Sequence, residues 1–369
     1  MIADYVIVGS GLTGATIART LVDRGHDVIV LDRRSHLGGN VHDVVHESGI
    51  RIHTYGPHYF RTSADSIWSY VTRFGEFYPF EAVLMSEIDG RLEHWPIQEE
   101  YITRTIGREW RPSHAGEAAN FEEASLAMMP APIYGKFVRG YSAQQWGVDP
   151  RSLAAGLAGR FDVRRDGDVR LKSSKYQGIP RGGYARFMEK MLDGIRTIPE
   201  VDYLKHPDEF RARVHTFFTG PIDEYFGFDL GRLAYRGQQR AHRFLPETAW
   251  HQPAPQVNHP DKGVPIIRTL EWKHMMEPEL KDSFPGTVLT TETPYSPQDP
   301  SDYEYPFPDA ANQQLFAKYQ ARADAIEGLT ICGRLGEYRY YDMDQAIGRA
   351  MTLARRLLNG QKPADTAQI

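Results

Sequence analysis

The run Tyr5-Val6-Ile7-Val8, followed at once by Gly9-Ser10-Gly11-Leu12-Thr13-Gly14 and a helical stretch from Ala15 to Arg24, constrains this chain more than any other feature. A second apolar run, Val28-Ile29-Val30-Leu31, ends in Asp32, 18 residues after Gly14. Strand, glycine turn, helix and strand at this spacing form a βαβ unit of the kind that binds a dinucleotide. Gly9 permits the tight turn, Gly11 lets the backbone approach a pyrophosphate, and Gly14 lets helix and sheet close together. Phosphates are expected at the helix amino terminus, whose N–H groups lack intrahelical partners. Asp32 is then placed to accept hydrogen bonds from a ribose diol, which favours a cofactor without a 2′-phosphate.

The 369 residues allow one large discontinuous domain or two to three smaller ones. Lys plus Arg number 43 against 48 Asp plus Glu, a net charge of −5, which argues against a nucleic-acid partner or a polybasic membrane binder. The single cysteine, Cys332, excludes an intramolecular disulfide and a paired-cysteine metal site. No uninterrupted apolar run approaches the ~18 residues of a membrane span, and no basic leader precedes the first strand. The expectation is a cytoplasmic protein with no membrane partner and no metal.

From Glu99 to Trp146 the pattern turns to amphipathic helices, as in Phe121 to Met129 and Ile133 to Gln145. Phe137 and Tyr141 lie four apart, on one helical face, and serve either as an aromatic platform for a base or as core. Residues 160–175 hold six basic and three acidic side chains, either a mobile anion-facing loop or a solvated connection. Val214 to Gly220 reads as a strand that resumes the first sheet, 264–308 as strands and turns of another, and Leu329 to Gly333 as a last buried strand before a helix from Met343 to Leu358. The fold class is therefore α/β: a discontinuous Rossmann-like dinucleotide domain (1–80, 200–242, 315–369) with an inserted helical domain (99–150) and an antiparallel β-sheet domain (81–98, 151–199, 243–314).

Asp32-Arg33-Arg34-Ser35-His36-Leu37-Gly38-Gly39-Asn40 resembles FAD-binding proteins of the amine-oxidase and glutathione-reductase type. Five further motifs, in order along nearly the whole chain, resemble the bacterial UDP-galactopyranose mutase family. They are Tyr55-Gly56-Pro57-His58-Tyr59-Phe60-Arg61-Thr62, Gly140-Tyr141-Ser142-Ala143-Gln144-Gln145-Trp146-Gly147, Tyr176-Gln177-Gly178-Ile179-Pro180, Thr219-Gly220-Pro221-Ile222-Asp223 and the stretch from Gly333 to Met343. The resemblance implies a flavin-dependent isomerase that interconverts pyranose and furanose forms of a nucleotide-linked galactose. Reduced FAD is required: its N5 attacks the anomeric carbon and displaces UDP, the sugar ring opens, and O4 closes in place of O5. A homodimer is also implied.

Carried over residue by residue, the resemblance makes Arg164, in a mobile loop, and Arg268 the arginines that meet the diphosphate, with the hydroxyls of Tyr305 and Tyr340. It makes Phe137 and Tyr141 the uridine-binding aromatics, Tyr176 and Asn258 further contacts, Trp146 a substrate-side tryptophan and His58 a neighbour of the flavin ring. Gly9, Gly11, Thr13, Gly14, Asp32, Arg33, Gly39, Asn40, Arg334, Asp342 and Met343 are the implied FAD contacts, the last two opening a helix whose positive end faces the flavin. Two positions depart from the family pattern. Arg61 stands where histidine is usual, as in members that accept UDP-N-acetylgalactosamine, and Trp272 replaces a common histidine. An FAD-dependent amine oxidase or desaturase shares the amino-terminal fingerprint, but would leave Arg164, Arg268, Tyr305 and Tyr340 without a role. A non-catalytic flavoprotein or a nucleotide-sugar binding module is the third reading.

Overall fold

The amino-terminal βαβ unit sits in the middle of a five-stranded parallel sheet, in the order Arg196–Ile198, Val28–Leu31, Ile2–Val8, Arg211–Phe218, Leu329–Ile331. The computed structural model describes residues 1–260 and 263–362. Every residue of Val28–Leu31 is buried, as a parallel strand covered on both faces requires. Helix Leu12–Val22 follows the first strand and packs against helix Met343–Leu358, with Ile17, Leu21, Ile347 and Leu353 in the shared core. A Cβ on Gly14 would stand 1.9 Å from the Gly9 carbonyl oxygen, so only glycine lets this helix lie so close to the turn.

A second sheet of seven strands runs Tyr305–Pro306, Tyr235–Leu245, Thr287–Tyr295, Arg268–Glu271, Gln256–Asn258, Leu84–Ile88, Arg91–Trp95. It is antiparallel except where Gln256–Asn258 meets Leu84–Ile88. Two segments fall across the expected domain boundaries: Arg196–Ile198 extends the parallel sheet, and Tyr235–Leu245 belongs to the antiparallel one. Short strands advertise their burial but not their partners, so the sequence pattern could not assign them.

The helical region packs against the antiparallel sheet, with Phe121, Ile133, Tyr134, Phe137 and Trp146 in a core that takes in Ile88 of the strand Leu84–Ile88. The helix expected from Ile133 to Gln145 is broken: Ala131–Tyr134 is α-helical, Gly135–Arg139 is a π turn, and Gly140–Trp146 is α-helical again. Such turns cluster at functional sites because they re-aim side chains on one face. No helix among the described residues is long and apolar enough to cross a membrane.

Candidate functional site

Two cavities adjoin and share part of their lining. The first opens at the amino terminus of helix Leu12–Val22, where no side chain caps the helix and no acid occupies its first turn. Gly9, Gly11, Thr13, Asp32, Arg33, Gly39, Asn40, Arg334 and Met343 line it. Gly11 and Gly39 nearly touch, since a Cβ on Gly39 would stand 2.9 Å from the Gly11 Cα. The Asp32 carboxylate is held by Ser10, whose N–H and hydroxyl donate to Oδ2 at 2.8 and 2.6 Å, and by the Arg34 N–H on Oδ1 at 2.9 Å. A bare glycine cradle at an uncapped helix terminus, with an acid fixed beside it, fits a pyrophosphate and an adjoining ribose. Arg33 lines the cavity while its fork is already engaged by Glu224, at 2.9 and 2.6 Å.

The second cavity is a cleft of about 600 Å³ that joins the first at Asn40, His58, Arg334 and Met343, which line both. Phe137, Tyr141 and Trp146 form its aromatic wall, and Arg61, Asn258, Arg268, Tyr305 and Tyr340 its polar ones. Strand register explains part of this gathering. Asn258 lies opposite Arg268, Arg268 opposite Glu292, and Glu292 opposite Arg240, one row across four strands. Arg268 donates through Nε to the fully buried Glu292. Burial works against its charge, yet Glu292 more than compensates and holds the guanidinium firmly protonated. The rings of Tyr305 and Tyr340 stack with centroids 6.2 Å apart, and Arg334 lies 4.8 Å over Tyr340.

His58 sits at the junction. Its Nδ1 lies 2.7 Å from the Gly56 carbonyl oxygen, which can only accept, so Nδ1 carries the proton and Nε2 is left with a lone pair. Burial, reinforced by His53 and Arg334, pushes its pKa down to about 3, so the ring is neutral near pH 7.

Several expected contacts lie elsewhere. Arg164 is off the cleft wall: strand Val163–Arg164 pairs with Ile97–Gln98, and the guanidinium turns to Asp162 at 2.6 Å and Asp168 at 3.8 Å. Tyr176 is also outside it, stacked on Trp68 at 4.9 Å with its hydroxyl donating to Asp65, because Tyr176 pairs with Thr62 at the outer end of a three-stranded sheet. Asp342 belongs to the second cleft rather than the cofactor cavity, where it caps helix Met343–Leu358 and accepts from Arg61. Gly14 packs against Gly9 and does not line the cavity. Trp272 is a core residue, its Nε1–H donating to Thr290 at 2.5 Å and its ring 5.1 Å from His53. The sequence reading missed Arg160, which lines the cleft 4.2 Å over the Tyr340 ring, and Glu304 and Lys172 beside it. Arg160 and Lys172 stood in the flagged basic segment, and nothing there ranked them above Arg164.

The sequence model of the UDP-galactopyranose mutase family matches residues 136–340, and that of an NAD(P)-binding Rossmann-like domain matches 7–74. The chain belongs to the UDP-galactopyranose mutase family. A probable UDP-galactopyranose mutase of Klebsiella pneumoniae is 30% identical, covering 96% of this chain and 95% of that protein. A dTDP-fucopyranose mutase of Escherichia coli is likewise 30% identical, covering 97% and 99%. A crystal structure of reduced UDP-galactopyranose mutase matches with a TM-score of 0.76 at 16% identity over 97% of this chain and 94% of that one. A structure of a putative protoporphyrinogen oxidase from Exiguobacterium matches less well, at 0.63 and 11% over 97% and 99%, and speaks for the shared fold alone. This member of the mutase family is a flavin-dependent pyranose/furanose mutase, an isomerase, with FAD as its cofactor. The oxidase reading falls away.

Proposed function

We propose that the substrate is a UDP-linked galactose-type sugar, carried in the cleft with its base against Phe137 and Tyr141, its diphosphate against Arg268, Tyr305 and Tyr340, and its sugar toward His58 and Arg61. The observation that carries this reading is the row Asn258, Arg268, Glu292, which sets a buried cation on the wall of a cleft that opens into the cofactor cavity. FAD, held by the glycine cradle, Asp32 and Arg334, supplies in its reduced form the nucleophile for the anomeric carbon. The chain's own part is to orient the sugar, exclude water and meet the departing diphosphate with fixed donors. In this reading Arg268 and Tyr305 meet the diphosphate directly, Tyr340 does so by turning its hydroxyl from Asp342, to which it donates at 3.1 Å, and Arg164 by exchanging Asp162 and Asp168 for it. Trp146 closes the base end, where its ring meets Phe307 edge-on at 5.8 Å.

Arg61 supports an N-acetylated galactose over galactose itself, because a guanidinium on the cleft wall finds an acceptor in an acetamido carbonyl. A second reading, a dTDP-linked 6-deoxy sugar, is favoured by the Escherichia coli relative, whose name is that of a dTDP-fucopyranose mutase. Incubating dithionite-reduced holoenzyme with UDP-galactose, UDP-N-acetylgalactosamine and dTDP-fucose, and resolving the products by chromatography, tests both. Turnover of the dTDP sugar alone overturns the first reading. A cytoplasmic homodimer is part of the proposal, and light scattering behind size exclusion tests the dimer.

A further inference from the structure

The charge row behind Arg268 does not end at Glu292. Glu292, fully buried on the strand Thr287–Tyr295, accepts from Arg268 on one neighbouring strand and from Arg240 Nε, at 2.8 Å, on the other. Arg240 then forks onto Glu304, Nη1 to Oε1 at 2.7 Å and Nη2 to Oε2 at 2.9 Å. Arg240 and Glu304 are themselves nearly buried, with side chains 9% and 8% exposed, and Glu304 lines the substrate cleft beside Tyr305. Four alternating charges thus run from one cleft residue, Arg268, through the sheet to another, Glu304. The loop that carries His58 rests on them, since a Cβ on Gly56 would meet Glu292 Oε1 at 3.0 Å and Arg240 Nη2 at 3.1 Å.

We propose that Arg240 and Glu304 are positioning residues that set how much of the Glu292 charge is spent on Arg268, and so how strongly Arg268 draws the diphosphate. Without Arg240, Glu292 would neutralise Arg268 fully. Because Arg240 takes a share, Arg268 keeps positive charge for the cleft. Glu304 limits that share by holding Arg240 to itself. The two residues therefore act on anion binding in opposite directions. This inference rests on the reading of Arg268 as a diphosphate ligand.

The test is nucleotide binding to FAD-loaded, reduced enzyme, with UDP and dTDP titrated in parallel by calorimetry. Arg268→Ala checks the underlying reading: binding unchanged in that variant removes Arg268 from the diphosphate and the present inference with it. Arg240→Met is expected to weaken nucleotide binding roughly tenfold, and Glu304→Gln to tighten it several-fold, in the range of couplings between contacting charges. Glu304→Gln should also slow product release, lowering kcat together with KM. In a Glu292→Gln background the Glu304→Gln effect should vanish. A merely structural role would weaken binding in both single variants, and that result, or a Glu304→Gln effect that persists without Glu292, overturns the proposal while leaving Arg268 in place. If Arg240→Met does not fold, the sign of the Glu304→Gln change decides alone.

Discussion

Arg61 Nη2 donates to Asp342 Oδ2 at 3.0 Å, fastening the strand Phe60–Thr62 to the cap of helix Met343–Leu358, and the same carboxylate accepts the Tyr340 hydroxyl at 3.1 Å. Arg61 and Tyr340, both on the cleft wall, thus share one acid. With side chains 19% and 31% exposed, the ion pair itself contributes at most about 1 kcal/mol to stability. Arg61→His shortens the arm, so the imidazole cannot hold Asp342 and face the cleft together. The expected result is a larger fall in kcat/KM for UDP-N-acetylgalactosamine than for UDP-galactose, with little change in Tm. An equal fall for both, with a lower Tm, would leave Arg61 as a tie between two elements and nothing more.

Arg268→Ala should cut kcat on the order of 10²- to 10³-fold, the loss typical of a donor aimed at charge that develops in the transition state. The fold should survive, because Glu292 retains Arg240 as a partner. Stopped-flow turnover of the FAD-loaded variant, together with its flavin absorbance, checks both halves; near-normal turnover with FAD bound would remove Arg268 from the clamp.

Arg160 and Arg164 should differ in which constant they move. Arg160 already lies on the cleft wall over Tyr340 and pairs with no carboxylate among the described residues, so Arg160→Ala should chiefly raise KM. Arg164 must give up Asp162 and Asp168 first, so its contribution should come late in the reaction and Arg164→Ala should chiefly lower kcat. Wild-type kinetics in Arg164→Ala would show that its ion pairs are its whole role.

The glycine turn was legible because each glycine answers a local steric demand, and Gly14 against Gly9 is that demand made visible. The last strand and helix were legible for a similar reason, an apolar run ending in glycine and an amphipathic stretch behind an Asp cap. What could not be read was which charges face one another across strands. Glu292 looks like any strand carboxylate until the register sets Arg268 and Arg240 on either side of it. In the same way, six basic residues in 160–175 looked alike, and their division into cleft-facing Arg160 and Lys172 and acid-bound Arg164 and Arg170 is a tertiary fact.

Two glycines in the cofactor turn should respond differently to an added methyl. A Cβ on Gly11 meets nothing nearer than the Gly39 Cα at 3.8 Å, an ordinary contact, and its φ of −65° suits alanine. Gly9 has φ +103° and its Cβ would collide with Thr219 Oγ1 at 2.0 Å. Gly11→Ala is therefore expected to leave the apoprotein's thermal stability unchanged while weakening FAD binding, because the methyl occupies the pyrophosphate approach. Gly9→Ala should lower the stability of the apoprotein itself. Calorimetry of the apoproteins and FAD titration by flavin fluorescence separate the two; unaltered FAD affinity in Gly11→Ala would move the pyrophosphate away from this turn.

His58 should stay neutral through the physiological range with its proton on Nδ1. The Gly56 carbonyl fixes the tautomer, and burial with His53 and Arg334 nearby drives the pKa to about 3, against about 6.5 in an unfolded chain. His53, buried behind it, is pushed down to about 3 by burial and by Arg51. Between those two values the unfolded state binds more protons than the folded one, so the stability these rings contribute is complete above pH 6.5 and is lost as the pH falls toward 3. Nitrogen-15 NMR of the imidazoles should show no titration of His58 from pH 8 to 5, and urea midpoints should fall below pH 6.5 less steeply in His58→Asn than in wild type. A His58 ring that titrates near 6.5 would overturn this assignment, and Nε2 would turn from acceptor to donor as the pH falls through that value.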